Sequence, residues 1–305
     1  MLDLARLRAL HAVGTHGSVG AAAEALGFTP SAISQQVAKL ERETGTTLLE
    51  RRGRGVALTD AALMLVRAAE QMLSLAEQAE IALEERRGRP AGRLTVAAFP
   101  SAARGLLPGA LARIAAEHPQ LDLRMSEVDP HLSVGMVARG EIDLAVTHDW
   151  DTVPLPSPEG LRRTPLGRDV CDMLLPEGHP LAALDRPLVR EDLGAARWVC
   201  QPPGSVCHGW LLSDLRAAGQ EPDVAFHVGE YQTQVALVAA GLGVALLPRL
   251  GRGALPDGVV LRPLAPEPVR QLFAVWRGEA SRRPAIVEAV RVLREEAGRR
   301  TAEDA

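Results

Sequence analysis

The segment from Asp60 to Arg87 constrains the fold of this chain more than any other. Its apolar residues recur at alternating steps of three and four, which is the spacing of a heptad seam on an α-helix. A helix of this length is about 42 Å long and needs a partner for its apolar face. We favour pairing with a second copy over burial within one chain. The seam is Leu65, Ala68, Met72, Leu75, Ala79 and Ala82, flanked by Val66, Ala69, Leu73, Ala76 and Leu83.

The residues before this segment predict short helices separated by a glycine turn. One helix ends near Leu26, and Gly27 follows where a positive φ is needed. Thr29 is a suitable N-cap for the next helix, and Pro30 fits its first turn. That helix stops at Gly45. Helix, tight turn and helix together predict a helix-turn-helix.

The helix that begins after Thr29 has one apolar and one polar face. At about 100° per residue, Ile33, Val37 and Leu40 share the apolar face. Glutamine can bond an adenine edge at two points, and arginine or lysine reaches guanine or phosphate. A merely solvated face is the competing interpretation. We predict DNA contacts from Thr29, Ser31, Ser34, Gln35, Lys39 and Arg42.

A basic ribbon follows this helix. Arginines surround two glycines between Glu50 and Thr59, and apolar residues alternate there as in a short strand. Such a ribbon beside a helix-turn-helix is typical of a wing that contacts phosphates or the minor groove. Residues 1–59 carry more basic than acidic side chains, although the whole chain has a net charge of −4. The predicted wing contacts are Arg51, Arg52 and Arg54.

This N-terminal region resembles the LysR-type transcriptional regulators. The resemblance implies an α/β protein with a winged helix-turn-helix head at 1–59, a linker helix at 60–87 that pairs two protomers, and a hinge at 88–92. A two-lobed effector domain resembling periplasmic binding proteins would then occupy 93–305, with lobe I at about 93–160 and 268–300 and lobe II at about 161–267. The matching residues are Ala22-Ala23, Leu26-Gly27, Thr29 to Val37, Leu40-Glu41, Gly45, Leu48, Arg51, Arg54 and Leu58-Thr59.

The C-terminal two thirds predict alternating strands and helices, as in parallel α/β units. A first strand is expected at 94–99, followed by one helix from Pro100 to Glu117. The proline-rich stretch from Val153 to Pro158 cannot continue either element, so a change of lobe is expected there.

Ligands of such sheets bind beyond the carboxyl ends of strands, where helix N-termini offer free N–H groups. Ordinary helix capping is the alternative role for each residue at these places. Two helix N-termini facing one cleft favour an anionic group, so we predict a small organic acid or an amino-acid-like effector. The candidate effector contacts are Phe99, Pro100, Ser101, Ala102, Thr147, His148, Pro202, Gly204, Ser205, Tyr231 and Thr233.

Enzymatic activity and cofactor binding are not expected. The sequence has no Gly-x-x-x-x-Gly-Lys loop, no Gly-x-Ser-x-Gly elbow and no His-Glu-x-x-His. Cys200, Cys207 and His208 lack a fourth ligand for a metal. A ligand-carrying binding protein without a DNA role is disfavoured by the predicted wing and by the lack of an export signal.

A redox signal is the alternative that keeps the DNA-binding function. Some members of the resembling family sense peroxide through a cysteine pair in the second lobe. Cys207 falls in the first turn of a predicted helix, where the pKa of a thiol can be lowered, but Cys200 falls within a predicted strand. A buried inert cysteine is the commoner case.

The remaining expectations concern compartment and partners. Three cysteines cannot form a closed disulfide framework, and no apolar run approaches the ~18 residues of a membrane span. We therefore expect a soluble cytoplasmic protein with no membrane partner. Its expected partners are double-stranded DNA, a small effector, further copies of the chain up to a tetramer, and RNA polymerase.

Overall fold

The computed structural model describes residues 2–52, 55–150 and 152–303. Contacts divide the chain into two compact units, Met1–Arg86 and Arg87–Ala305. Within the described ranges, no helix is long and apolar enough to cross a membrane.

The first unit consists of helices and one antiparallel ribbon. The ribbon pairs Arg51 with Val56 and Arg52 with Gly55. The helices are α1 (Leu4–His16), α2 (Val19–Leu26), α3 (Pro30–Thr44) and α4 (Asp60–Arg87), and the strands are β1 (Leu49–Arg52) and β2 (Gly55–Leu58).

The helix caps of the first unit follow from its sequence. The side chains of Asp3, Ser18 and Thr29 accept hydrogen bonds from backbone N–H groups in the first turns of α1, α2 and α3. Gly27 and Gly45 end α2 and α3 with φ of +69° and +62°, where a side chain would be strained. The predicted helix-turn-helix and its turn are confirmed.

The core of the first unit uses the predicted face of α3. Ile33, Val37 and Leu40 are at most 1% exposed and pack with apolar residues of α1 and α2. The start of α4 joins this core through Ala62 and Ala69. Farther along α4, Met72, Leu75 and Leu83 are exposed.

The second unit is an α/β domain. Its strands are β3 (Gly92–Ala98), β4 (Leu121–Glu127), β5 (Leu144–Trp150), β6 (Leu161–Pro176), β7 (Arg197–Cys200), β8 (Asp223–His227), β9 (Ala245–Pro248), β10 (Val259–Arg262) and β11 (Val269–Arg277). Its helices are α5 (Pro100–Gly105), α6 (Leu107–Glu117), α7 (Pro130–Ala138), α8 (Val206–Ala217), α9 (Tyr231–Ala239) and α10 (Pro284–Glu303), with 3₁₀ turns at Pro180–Ala183, Arg190–Leu193 and Gly278–Arg282.

The long strand β6 connects two lobes. Up to Val170 it pairs with β11, which also pairs with β5. The parallel strands β4, β3 and β5 complete this sheet, and together with α5, α6, α7 and α10 it forms lobe I. From Cys171 onward β6 pairs with β9 and β10, which form lobe II with β7, β8, α8 and α9. Strand β11 and helix α10 return the chain to lobe I after lobe II.

The second unit differs from the sequence expectations at several places. The single helix expected from Pro100 to Glu117 is two helices, because Pro108 has no N–H to donate to the carbonyl of Arg104. The change of lobe expected near residue 161 occurs at about residue 170, inside β6. Strand β10 was not predicted.

The two lobes approach each other closely at a pair of glycines. A Cβ on Gly105 of α5 would lie 2.5 Å from the backbone nitrogen of Gly251, which follows β9. A Cβ on Gly251 would lie 2.6 Å from the carbonyl oxygen of Ser101. Backbone atoms cannot move aside as a side-chain tip can, so this contact requires glycine.

Substitution Gly105→Ala is expected to lower the free energy of unfolding by about 1–3 kcal/mol, because the methyl group forces the backbones apart. Gly209→Ala on α8 is the matched control, since its Cβ meets open space. Alanine favours a helix over glycine, so the control is expected to be neutral or slightly stabilising. Urea denaturation of both variants measures the difference, and equal effects would contradict the close packing.

Candidate functional site

The outer face of α3 is exposed in full. Thr29, Ser31, Ser34, Gln35, Lys39 and Arg42 are all exposed, opposite the buried Ile33, Val37 and Leu40. The hydroxyl of Thr29 also accepts a hydrogen bond of 3.2 Å from the Ala32 N–H, so it is engaged as a cap. The other five side chains form a hydrogen-bonding and basic row along one helix.

The arginine ribbon lies beside α3 because an acidic side chain holds its first strand. Glu41 of α3 accepts hydrogen bonds from the N–H groups of Leu48 and Leu49, at 2.8 and 3.1 Å. Arg51 and Arg52 of β1 are exposed. Arg54 lies outside the described residues. The positioning role of Glu41 was missed by sequence reasoning, although its place next to the buried Leu40 was a signal.

A cleft of about 380 Å³ opens between lobes I and II, at the carboxyl ends of several strands. Lobe I and its returning strand contribute Phe99, Pro100, Glu127, Val128, Asp129, His131, His148 and Arg270. Lobe II contributes Gln201, Pro202, Pro203, Ser205, Cys207, Gly229, Glu230 and Tyr231.

The structure brings together some of the residues that were predicted to contact the effector. Phe99, Pro100, His148, Pro202, Ser205 and Tyr231 line the cleft.

Five other members of that set are not among the lining residues. Ala102 and Thr147 are at most 1% exposed, inside α5 and β5. The Thr233 hydroxyl is occupied by Glu230 at 2.9 Å, and Gly204, with φ of +90°, shapes the turn before Ser205. Ser101 lies beneath the cleft wall, 3% exposed.

Arg270 is the most consequential residue that sequence reasoning missed. It lies directly across from Asp169 on the antiparallel neighbour of its strand. Its Nε donates to Asp169 Oδ2 at 2.7 Å, and its Nη2 donates to the Ser101 hydroxyl. The other oxygen of Asp169 accepts a hydrogen bond of 2.9 Å from the Leu250 N–H. A basic residue within an otherwise strand-like apolar stretch was the available signal.

The Arg270–Asp169 ion pair is almost completely buried, with side chains 1% and 3% exposed. Burial disfavours the charged guanidinium, but the Asp169 carboxylate outweighs this and raises the pKa of Arg270. Arg270 therefore stays charged. Its side chain lines the cleft, where the guanidinium also interacts with the Cys207 thiol.

The inner wall of the cleft is neutral apart from Arg270. Burial, and then the charge of Arg270, lower the pKa of His148 well below its ordinary value. Burial raises the pKa of Tyr231 well above its ordinary value. The Cys207 sulfur lies 3.8 Å from His148 Nε2 and 3.9 Å from the Tyr231 hydroxyl. These groups offer hydrogen bonds without charge near neutral pH.

Carboxylates already occupy two of the helix N-termini at the cleft. Asp129 caps α7 and contacts His131 Nδ1 at 2.7 Å. Glu230 caps α9 and pairs with Arg104 of lobe I at 2.8 Å. Partial burial alone raises the pKa of Glu230, but bonds from the α9 N–H groups and Arg104 outweigh it and lower the pKa to about 2. The N-termini of α7 and α9 at the cleft are therefore not bare.

The thiols of Cys200 and Cys207 do not have lowered pKa values. Burial raises the pKa of Cys207, and the pKa of Cys200 rises to about 12 for the same reason. The lowered pKa that the helix position suggested for Cys207 is therefore wrong, because burial raises the pKa of this thiol.

Three potential metal ligands meet outside the cleft. Ligand atoms of Glu117, His118 and Glu288 lie within 4.8 Å of one another. Both carboxylates are paired with Arg291, at 3.0 Å for Glu117. The cluster is an ion-pair network between α6 and α10.

Comparison with known families covers almost the whole chain. Residues 4–63 match the family described as bacterial regulatory helix-turn-helix protein, lysR family. Residues 87–298 match the LysR substrate binding domain.

Relatives and solved structures resemble the chain over nearly its full length. The probable HTH-type transcriptional regulator LrrA of Synechococcus elongatus is 30% identical over 297 residues, which is 97% of this chain and 98% of LrrA. Full-length OxyR from Pseudomonas aeruginosa has a TM-score of 0.66 at 23% identity, covering 97% of this chain and 95% of that one. Full-length CbnR in complex with its target DNA has a TM-score of 0.60 at 20% identity, covering 97% and 100%. The two structural likenesses concern the fold.

Substitution Arg270→Met is expected to destabilise the protein by about 3–5 kcal/mol, because it leaves the Asp169 charge buried without a partner. Arg216→Met is the control, since the Arg216–Glu221 pair is exposed, and no measurable loss is expected there. The double variant Asp169→Leu/Arg270→Met is expected to recover much of the loss. Denaturant titration measures all three, and a single variant as stable as the control would refute the role of the pair.

Proposed function

Because this chain belongs to the LysR family of bacterial transcriptional regulators, we propose that its first unit binds promoter DNA and that a small molecule in the cleft adjusts this binding. One matching family is the N-terminal helix-turn-helix of these regulators, and the other is their C-terminal substrate binding domain. Such a protein acts where the chromosome is, so we propose the cytoplasm as its compartment.

The exposed row on α3 is the observation that carries the DNA-binding proposal. In this proposal, Gln35 reads base edges in the major groove, with Ser31, Ser34 and Lys39 beside it. Arg42 contacts the backbone. Arg51, Arg52 and Arg54 bind phosphates or the minor groove. Thr29 contributes as the cap of α3, and Glu41 holds the ribbon in register with the helix.

The effector proposed for the cleft is a small molecule that carries a carboxylate. Support comes from the guanidinium of Arg270, which is a charged donor on the cleft wall. Gln201 Nε2 adds a buried donor without a partner among the described residues. A carboxylate satisfies both groups. Binding between two lobes favours one relative lobe placement, which shifts the population of DNA-binding arrangements.

The exposed apolar residues of α4 support a dimer. Leu75 is 65% exposed and Leu83 59%, on a helix of 28 residues. Pairing through α4 gives two α3 helices for two half-sites, as dimeric helix-turn-helix proteins require. A tetramer through the second units and a contact with RNA polymerase remain predictions.

Redox sensing through Cys200 and Cys207 is not the function proposed. The thiolate is the reactive form, and burial raises the pKa of both thiols. The OxyR structure from Pseudomonas aeruginosa is similar to this chain in fold. We expect peroxide-treated protein to keep its DNA affinity, with Cys207→Ala behaving as the parent does.

Substitution Gln35→Ala is expected to lower discrimination between the intergenic DNA upstream of this gene and a random duplex by about 1–3 kcal/mol, because a base contact is lost. Arg52→Ala is expected to weaken binding to both duplexes alike and to reduce the salt slope by about 1 per protomer, because a phosphate contact is lost. Fluorescence anisotropy at several salt concentrations measures both effects.

The matched control is Arg124→Ala, which removes one exposed positive charge from β4 of the second unit. It is expected to leave affinity and salt slope unchanged. Equal loss on both duplexes for Gln35→Ala contradicts base reading. Failure of the parent protein to prefer its own upstream DNA contradicts the proposed function itself.

Substitution Leu75→Lys is expected to shift the protein from dimer towards monomer, because it places a charge in the apolar seam of α4. Glu70→Lys places the same side chain about 140° away on the same helix and is expected to leave the dimer intact. Sedimentation velocity at micromolar concentration distinguishes the species. A dimer that survives Leu75→Lys would rule out the seam as the interface.

A further inference from the structure

The cleft has two walls of opposite electrostatic character. Arg270 and the neutral donors form the inner wall, whereas Glu127, Asp129 and Glu230 form an acidic rim. A ligand with a carboxylate alone uses the inner wall and is repelled by the rim. The negative charge of the rim therefore indicates what charge the rest of the ligand carries.

The three rim carboxylates are not equivalent. Asp129 is engaged by His131 and the first turn of α7, and Glu230 by Arg104 and the first turn of α9. Glu127 is exposed and has no hydrogen-bond or ion-pair partner among the described residues. It is the acidic group at the cleft without a partner among the described residues.

Strand pairing fixes the place of Glu127 relative to the inner wall. It is the last residue of β4 and lies opposite Ala98 of β3. The Val128 N–H donates to the Ala98 carbonyl at 2.9 Å, so this corner is held next to Phe99. Adjacent strands are about 4.8 Å apart, and the Phe99 ring lies 4.9 Å from the Arg270 guanidinium. Glu127 and Arg270 both line this one cleft.

We propose that the ligand of this cleft is a zwitterion of the α-amino-acid class. Its carboxylate binds the Arg270 guanidinium and Gln201 Nε2, and its ammonium group binds Glu127. The proposal deepens the effector proposed above and rests on it. The volume of about 380 Å³ is within the usual range for small-molecule sites, and leaves room for a side chain.

The test uses three sets of probes on the full-length protein. These are the common L-amino acids, their N-acetyl derivatives, which keep only the carboxylate, and their α-amides, which keep only the ammonium group. Thermal-shift screening followed by calorimetry measures binding. At least one free amino acid is expected to raise the Tm, and its acetylated and amidated forms are expected to bind at least tenfold more weakly.

Two variants assign the contacts. Glu127→Gln is expected to weaken the amino acid at least tenfold while leaving the N-acetyl form unchanged. Gln201→Leu is expected to weaken both the free and the N-acetyl form. The control Glu177→Gln removes another exposed acid of the same domain, outside the cleft, and is expected to change nothing.

Three outcomes would overturn the inference. In the first, no free amino acid binds. In the second, an N-acetyl derivative binds as tightly as its parent amino acid. In the third, the Glu127→Gln variant binds the amino acid with unchanged affinity. DNA binding by the same preparations without ligand is scored separately. Protein that binds its upstream DNA but prefers simple carboxylates refutes the zwitterion and leaves the proposed regulator intact.

Discussion

The ion pair between Asp169 and Arg270 organises the second unit. It lies where β6 passes from one lobe to the other, and each partner makes a further hydrogen bond. Asp169 accepts from the Leu250 backbone of lobe II, while Arg270 donates to Ser101 at the start of α5 in lobe I. Removing two charges from water is costly, and these additional bonds offset that cost. The pair therefore fixes both lobes at the base of the cleft.

The same pair determines what the cleft can recognise. Two nitrogens of Arg270 are used internally, and the side chain also lines the cleft. Around it, burial keeps His148 neutral, and Cys207 and Tyr231 in their protonated forms. The acidic rim is separate, and only Glu127 lacks a partner among the described side chains. The Arg270 cation on the inner wall and the Glu127 carboxylate on the rim are the two charges on which the proposed zwitterion rests.

The first unit could be predicted from sequence because its determinants are local. A cap, a positive-φ glycine and a buried stripe each act within a few residues, so Thr29, Gly27 and Ile33 could be assigned without a structure. Glu41 was missed because its role depends on a strand seven residues away.

The cleft could be predicted only in part. The rule that ligands bind beyond strand ends selected Phe99, Ser205 and Tyr231, which do line it. It missed Arg270, which meets Asp169 across 101 positions of sequence through strand pairing. The rule also missed Glu127, because the position of this residue next to Phe99 depends on the register of β4 against β3. Local sequence patterns do not show which residues of two strands lie opposite each other when the strands are far apart in the chain.

We propose that ligand binding in the cleft and DNA binding by the first unit are coupled. Linkage requires the coupling to be reciprocal. The direct measurement is the affinity of the full-length protein for its upstream DNA with and without a saturating amino acid, together with the affinity of that amino acid for free and DNA-bound protein. The account predicts that both affinities change by the same factor. A ligand that saturates the cleft and leaves the DNA affinity and its own affinity unchanged would contradict it.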